Sequence, residues 1–151
     1  MADLIEAKVE GVEELVKALA PKRLYADEWA AAMRELEDMA GNELRSRVPV
    51  GPTGNLLRSA STGIHKAPIP LWVAVRLRAP HARFVEQGVP PHLIRPKAKK
   101  ALAFGSKVRR AVRHPGMPAQ HVVQKTKQAI EAKLPAVLAR LTRKIMQNFG
   151  G

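Results

Sequence analysis

The chain has 151 residues with 26 Lys and Arg, 13 Asp and Glu, no Cys and six aromatic side chains. This length fits one domain, and without Cys the sequence offers no disulfide, thiol nucleophile or thiolate-bound zinc. It lacks the run of about 18 to 20 apolar residues that a membrane span requires, and its acidic start is unlike a signal peptide. We therefore expect a soluble protein made in the cytosol, with no membrane contact.

The charge is divided unevenly along the chain. Residues 1–43 carry 11 acids and 5 bases, whereas residues 44–151 carry 2 acids and 21 bases. The total of +13 is therefore −6 followed by +19. This division allows two kinds of partner, because the basic part can meet either nucleic acid or the acidic part of a neighbouring subunit.

The acidic part predicts a strand and a long helix. Residues 5–9 alternate between apolar and charged, which indicates a strand, and a short helix over 12–19 follows Gly11. The alternative is one helix over 3–19, with Gly11 in its interior at a cost of about 1 kcal/mol. A second helix is predicted over 22–47, ending before Pro49. Its apolar stripe comprises Tyr25, Trp29, Met33, Leu36, Ala40 and Leu44.

The middle of the chain predicts short strands joined by Pro- and Gly-rich loops. Residues 49–56 are expected to be a loop, and 57–66 with 71–78 an antiparallel hairpin whose exposed face carries Trp72, Arg76 and Arg78. Pro80 and Gly88 bracket a two-turn helix with Phe84 and Val85 as its apolar residues. Further short strands are expected over residues 93–95, 101–104 and 108–113.

The C-terminal part predicts a long helix over 119–148, with Pro135 expected to kink it. Its apolar face comprises Val122, Thr126, Ile130, Leu134, Val137, Leu141 and Ile145. We therefore predict an α+β fold, with a small, mostly antiparallel sheet packed against two long helices. One domain is expected over 1–151, made of an acidic part (1–47), a basic part of sheet and loops (48–118) and the C-terminal helix (119–151).

No pattern of residues predicts catalysis. Glu86 lies five residues after His81, which is not the spacing that puts two ligands on one helical face. The segment 51–54 lacks the Gly-Lys-Ser/Thr ending of a phosphate loop. Since nearly all acids lie in residues 1–43, a Ser-His-Asp triad is also excluded. We expect no catalytic residue, metal or cofactor, and a protein that is not an enzyme.

A basic stretch between residues 97 and 113 is the strongest compositional signal. Such a stretch can face phosphates, a neighbouring subunit or solvent, and the sequence leaves these open. Only Phe104 lies nearby to stack on bases, so recognition of single strands is poorly supported. The basic residues are Lys97, Lys99, Lys100, Lys107, Arg109, Arg110 and Arg113.

Three segments carry a resemblance to a known family. They are Val-Pro-Val-Gly-Pro-Thr-Gly-Asn-Leu-Leu-Arg-Ser at 48–59, Ala-Arg-Phe-Val-Glu-Gln-Gly at 82–88 with the strands over 92–104, and His-Pro-Gly at 114–116 before a long helix. In this order and spacing the chain resembles the tail-completion or head-tail joining proteins in the necks of long-tailed double-stranded DNA bacteriophages.

The resemblance implies a non-enzymatic structural protein of the virion. It would be assembled in the host cytoplasm as a ring, sixfold or twelvefold, around the DNA channel at the head-tail junction. Its partners would be further copies of itself, other neck, tail or portal-adaptor proteins, and genomic duplex DNA. The sequence leaves open whether the ring is a completion, stopper or terminator ring.

The hypothesis assigns two groups of residues. The basic residues over 97–113 would face either a neighbour or DNA. The subunit interface would contain Glu28, Glu35, Asp38, Thr53, Arg58, Glu86 and His114. The alternative function is a basic nucleic-acid-binding protein of phage or bacterial origin that contacts the backbone without sequence preference.

Overall fold

The computed structural model of the chain describes residues 5–8, 25–65, 72–97, 100–104 and 106–149. It confirms the α+β class, with small antiparallel sheets packing against long helices. The elements in chain order are β1 (Ile5–Lys8), α1 (Ala26–Arg47), α2 (Asn55–Ser59), β2 (Ala60–Ile64), β3 (Val73–Leu77), α3 (Ala82–Gln87), β4 (His92–Ile94), β5 (Leu102–Phe104), β6 (Lys107–Arg109), β7 (Val112–His114) and α4 (Val122–Phe149).

Contacts within the chain define two units. The larger unit is Met1–Ala82 with Val122–Gly151, and the smaller unit is Arg83–His121. The larger unit holds both long helices and the three-stranded sheet, whereas the smaller unit holds two two-stranded ribbons. The assignment of one domain stays a prediction.

The sheet of the larger unit has the order β1-β3-β2, and both outer strands run antiparallel to β3. The predicted hairpin of β2 with β3 is thus confirmed, and so is the strand at the start of the chain, which excludes the alternative helix over residues 5–8. The central strand is covered on both faces, since Val73, Ala74, Val75 and Leu77 are all buried. The predicted exposed face is therefore only partly open: Trp72 and Arg76 are half-buried and Arg78 is exposed.

The two long helices supply most of the core. α1 packs on α4 and on strands β2 and β3, and α4 also packs on β1 and β3. The predicted stripe of α1 is buried from Trp29 to Leu44, as is the face of α4 from Val122 to Leu141. Thr126 is buried with this face because its hydroxyl donates to the carbonyl of Val122, at 2.8 Å.

α4 begins later than predicted, and the described part of the first long helix begins at Ala26. Asp27 and Glu28 lie in the first turn of α1, where acids are favoured by the helix dipole. α4 begins at Val122 rather than Ala119, because His121 has a φ of 51°. Its helical range runs through Pro135.

The short helix predicted between Pro80 and Gly88 is confirmed as α3, with Ala82, Val85 and Glu86 buried and Phe84 52% exposed. Two shorter predictions were wrong in detail. Residues 55–59 form α2 instead of the end of a loop and the start of a strand. The strand expected over 108–113 is two strands, β6 and β7, because their backbones pair with different partners, β5 and β4.

Some predictions lie outside the described residues. These are the short helix over 12–19, the start of the long helix over 22–24, residues 66–71 of the predicted hairpin and the position of Lys99.

Candidate interaction surfaces

The acidic side of α1 is paired with α4 of the same chain. Arg140 donates to the Glu35 carboxylate, and the Lys133 Nζ lies 3.5 Å from Glu43 Oε2. The Asn148 amide also donates to Glu28 Oε1, at 3.0 Å. Two of the predicted interface acids, Glu28 and Glu35, are thus held by their own subunit. Three of the six acids of α1, namely Glu28, Glu35 and Glu43, therefore have a partner on α4 of the same chain.

A shallow groove of about 130 Å³ lies between these two helices. Its walls carry opposite charges, with Glu28 and Glu35 on α1 and Arg140 and Lys144 on α4. Across the groove, Glu35 is paired with Arg140. The third predicted acid, Asp38, is exposed and forms no ion pair with any described residue.

Glu43 is the acid most affected by this pairing. The Nε of Arg47 donates to Glu43 Oε1 at 2.9 Å, one turn further along α1. The Arg47 guanidinium, with a smaller contribution from Lys133, holds the pKa of Glu43 below its ordinary value of 4.5, although partial burial acts in the opposite direction. Glu43 is therefore ionised at neutral pH and links the two helices.

The Thr-Gly segment of the resemblance forms a closed turn before α2. Gly54 has a φ of 62° and its N–H donates to the Gly51 carbonyl at 3.0 Å, which closes the turn. The Arg58 side chain returns to donate to the Thr53 carbonyl and to Asn55 Oδ1. These bonds hold the turn against α2, whose N-terminus has no side-chain cap. Arg58 thus has a local structural role, while Thr53 is exposed.

The second and third segments of the resemblance meet in the smaller unit. Val89 and Met117 exchange two backbone hydrogen bonds of 2.8 Å. Gly88 and Gly116 flank this bridge with φ values of 74° and 86°. A Cβ on Gly88 would lie 2.6 Å from the Ala119 nitrogen, and one on Gly116 would lie 2.4 Å from the Val89 oxygen. Only glycine allows both the positive φ and the close approach of the two loops.

His114 belongs to a stacked pair that the sequence did not reveal. His114 pairs with His92 across β4 and β7, and their ring centroids are 5.0 Å apart. The His114 Nδ1 accepts from the Gly116 N–H at 3.0 Å, so this atom carries no proton. The His92 Nδ1 lies 3.0 Å from the Pro90 carbonyl, which can only accept, so His92 donates there. The two histidines therefore tie the paired ends of β4 and β7 to the adjacent loops, through Pro90 and Gly116.

Glu86 occupies a different environment from the other predicted interface residues. Glu86 is only 9% exposed. Its backbone carbonyl accepts a hydrogen bond from the His121 N–H at 3.3 Å. A residue so covered by its own unit has little surface to offer a neighbour. Of the seven predicted interface residues, Asp38, Thr53, Arg58 and His114 are exposed, and Arg58 is engaged in the local bonds described above.

The predicted basic residues gather on the ribbons of the smaller unit. This unit contains nine Lys and Arg and a single acid, Glu86, which gives a net charge of +8 in 39 residues. All three residues of β6 are exposed. Within the described part of this unit, seven exposed bases form no ion pair: Arg95, Lys97, Lys100, Lys107, Arg109, Arg110 and Arg113.

Lys107 and Arg109 share one face of the β5–β6 ribbon. They alternate with Val108, which is 68% exposed on the opposite face. Arg113 stands opposite Leu93 on the second ribbon. Of the seven predicted bases, the structure describes six, and all six are exposed without an ion pair to a described residue.

No family model, curated protein or solved structure matches this chain significantly. Among the residues that the structure describes, no group of three or more His, Asp or Glu side chains is arranged to hold a metal ion. None of the described helices is long and apolar enough to cross a membrane.

Proposed function

We propose that this chain is a non-enzymatic structural protein of a phage virion, forming a ring at the head-tail junction around the DNA channel. One observation carries the proposal: three segments between residues 48 and 148 resemble neck proteins in order and spacing. Two of these segments contain Gly88 and Gly116, whose loops approach each other too closely for any other residue. The resemblance therefore includes residues that depend on one another physically.

The surfaces left for ring contacts are fewer than the sequence suggested. Glu28 and Glu35 are engaged with α4 of the same chain, so a neighbour would meet the exposed residues Asp38, Thr53 and His114. These lie on different elements, namely α1, the turn before α2 and β7. Contact between different surfaces of neighbouring copies is what closes a ring. Other neck, tail or portal-adaptor proteins would dock on the faces of that ring.

The test is the oligomeric state of the purified full-length protein, measured by native mass spectrometry and electron microscopy. We expect closed rings of six or twelve copies in the wild type. The variant Asp38→Lys with Thr53→Arg places a new positive charge on each of two proposed contact surfaces, and we expect it to lose the rings while staying folded by circular dichroism.

The matched control for Asp38→Lys is Asp27→Lys. It makes the same charge change as Asp38→Lys on the same exposed side of α1, about 16 Å along the helix. It should keep the rings. A wild-type protein that stays monomeric at every concentration would contradict the proposed function. Rings that persist in the double variant would contradict the assignment of Asp38 and Thr53 to the interface.

A second candidate function is a basic nucleic-acid-binding protein that contacts the backbone without sequence preference. The observation that favours it is the set of unpaired bases in the smaller unit. Duplex binding by a protein that never forms rings would support this function over the neck ring.

A further inference from the structure

We infer that the β5–β6 ribbon, with the neighbouring bases of the smaller unit, is a binding surface for the phosphate backbone of double-stranded nucleic acid. This inference goes beyond the proposed ring and does not depend on it, because it rests on the charges and shape of the smaller unit alone.

The first argument is the lack of internal compensation. In the larger unit, acids and bases meet in ion pairs, including Glu35 with Arg140 and Glu6 with Arg76. In the described part of the smaller unit no ion pair relieves the repulsion among seven exposed bases. A concentration of unpaired positive charge attracts polyanions and releases their counterions on binding.

The second argument is the shape of the ribbon. β5 and β6 form a two-stranded antiparallel pair with the register Leu102 to Arg109 and Phe104 to Lys107. All of β6 is exposed. A two-stranded ribbon fits the major groove of B-form DNA, which is about 12 Å wide. Lys107 and Arg109 on one face and Arg110 at the end of β6 would then reach phosphates on the groove walls.

The third argument separates duplex from single strands. Proteins that bind single strands stack bases on exposed aromatic rings. Phe84, on α3, is the one exposed large aromatic side chain among the described residues of this unit. In its described part, the surface therefore offers seven exposed bases for backbone phosphates beside a single exposed large aromatic side chain.

The fourth argument separates duplex from a second copy of the chain. Three of the six acids of α1, namely Glu28, Glu35 and Glu43, have partners on α4, and a fourth, Glu37, is half-buried. The exposed stripe of the same helix carries Arg34 and Arg45 beside Asp27 and Asp38. That stripe has no net charge to offer seven bases, so a phosphate backbone is the better match.

The experiment measures binding of a fluorescent duplex of about 20 base pairs and mixed sequence to the full chain, by anisotropy, between 50 and 200 mM salt. If about six to seven bases contact phosphates, the slope of log affinity against log salt should be about −6. In the triple variant, Lys107, Arg109 and Arg110 are each changed to Ala. The slope should then change from about −6 to about −3, and binding should be about 100-fold weaker at 100 mM salt.

A control variant removes the same charge from the larger unit, by changing Arg34, Lys125 and Arg143 to Ala. These bases are exposed and unpaired within the described chain, so duplex affinity should fall less than tenfold. Equal losses in the two variants would overturn the inference, as would tighter binding of a single strand of equal length.

Absence of duplex binding at 50 mM salt would also overturn it, and would leave an acidic protein as the partner of this surface. That failure is distinct from failure of the ring, which is measured by oligomer mass in the absence of nucleic acid.

Discussion

The two units of this chain differ in how far their charge is compensated within the fold. The larger unit contains 17 bases and 12 acids, and five ion pairs join its described residues. The smaller unit contains nine bases and one acid, and seven of its described bases are exposed and form no ion pair with a described residue. The net charge of +13 therefore describes neither unit. In the larger unit part of the positive charge stabilises the fold through ion pairs, whereas in the smaller unit most of it faces solvent.

The units also differ in what stabilises them. The larger unit buries large apolar side chains such as Met33, Leu77 and Ile130. Within the described part of the smaller unit, Val85 is the one buried apolar side chain. Backbone hydrogen bonds between loops, placed by Gly88 and Gly116, take the place of a core there. The smaller unit should thus be the more sensitive to backbone changes.

The change Gly116→Ala should have the largest effect, because it should destabilise the smaller unit and leave the larger unit nearly unchanged. The new Cβ would lie 2.4 Å from the Val89 oxygen in a residue with a φ of 86°, so the loops must separate. We expect a loss of about 1 to 3 kcal/mol in the stability of the smaller unit. Hydrogen exchange followed by peptide mass should show faster exchange over 83–121 and little change in α1 and α4.

Gly51→Ala is the matched control, since nothing lies within 4 Å of the Cβ it adds. It should leave exchange rates in both units nearly unchanged. Faster exchange spread evenly over α1, α4 and the ribbons of the Gly116 variant would show that the two units do not differ in this way.

A smaller effect is expected in the larger unit, where the charge of Glu43 contributes to the stability of the fold. The pKa of Glu43 is held below 4.5 chiefly by its hydrogen bond from Arg47. A lowered carboxyl pKa stabilises the fold above pH 4.5, and this contribution is lost as the pH falls through the folded-state pKa. Glu43→Gln should therefore cost about 0.5 kcal/mol at pH 7 and progressively less below pH 4.5.

Urea denaturation of wild type and variant between pH 3 and pH 7 measures this difference. Asp38→Asn is the control, because it removes an exposed acid without an ion-pair partner among the described residues. A Glu43→Gln difference that stays constant over the whole pH range would contradict the role of its charge in joining α1 and α4.

The regular elements could be predicted because their signals are local. The apolar stripe from Trp29 to Leu44 follows the helical period, and the alternation of residues 73–77 follows that of a strand. Gly88 was placed correctly at the end of a short helix because a positive φ there favours glycine. These features predicted the long helices, the hairpin of β2 with β3 and the α+β class.

Partners across space could not be predicted in the same way. The pairing of Glu35 with Arg140 joins residues 105 apart, and no local pattern indicates which base an acid will meet. The stacking of His92 on His114 depends on the register of two strands. Likewise, the division of residues 107–114 into β6 and β7 follows from their different partner strands. For this reason the predicted acidic interface changed most, while the described residues of the predicted basic surface are exposed and their role stays a prediction.

The central claim is that the exposed bases of the smaller unit bind duplex DNA. Its most direct test is a lysine footprint of the full chain with and without duplex DNA. Acetylation rates are measured residue by residue by mass spectrometry. Lys97, Lys100 and Lys107 of the smaller unit and Lys125 and Lys144 of α4 are all exposed. Duplex should slow acetylation of the first three and leave the two on α4 unchanged. Equal protection of all five, or stronger protection on α4, would contradict the account.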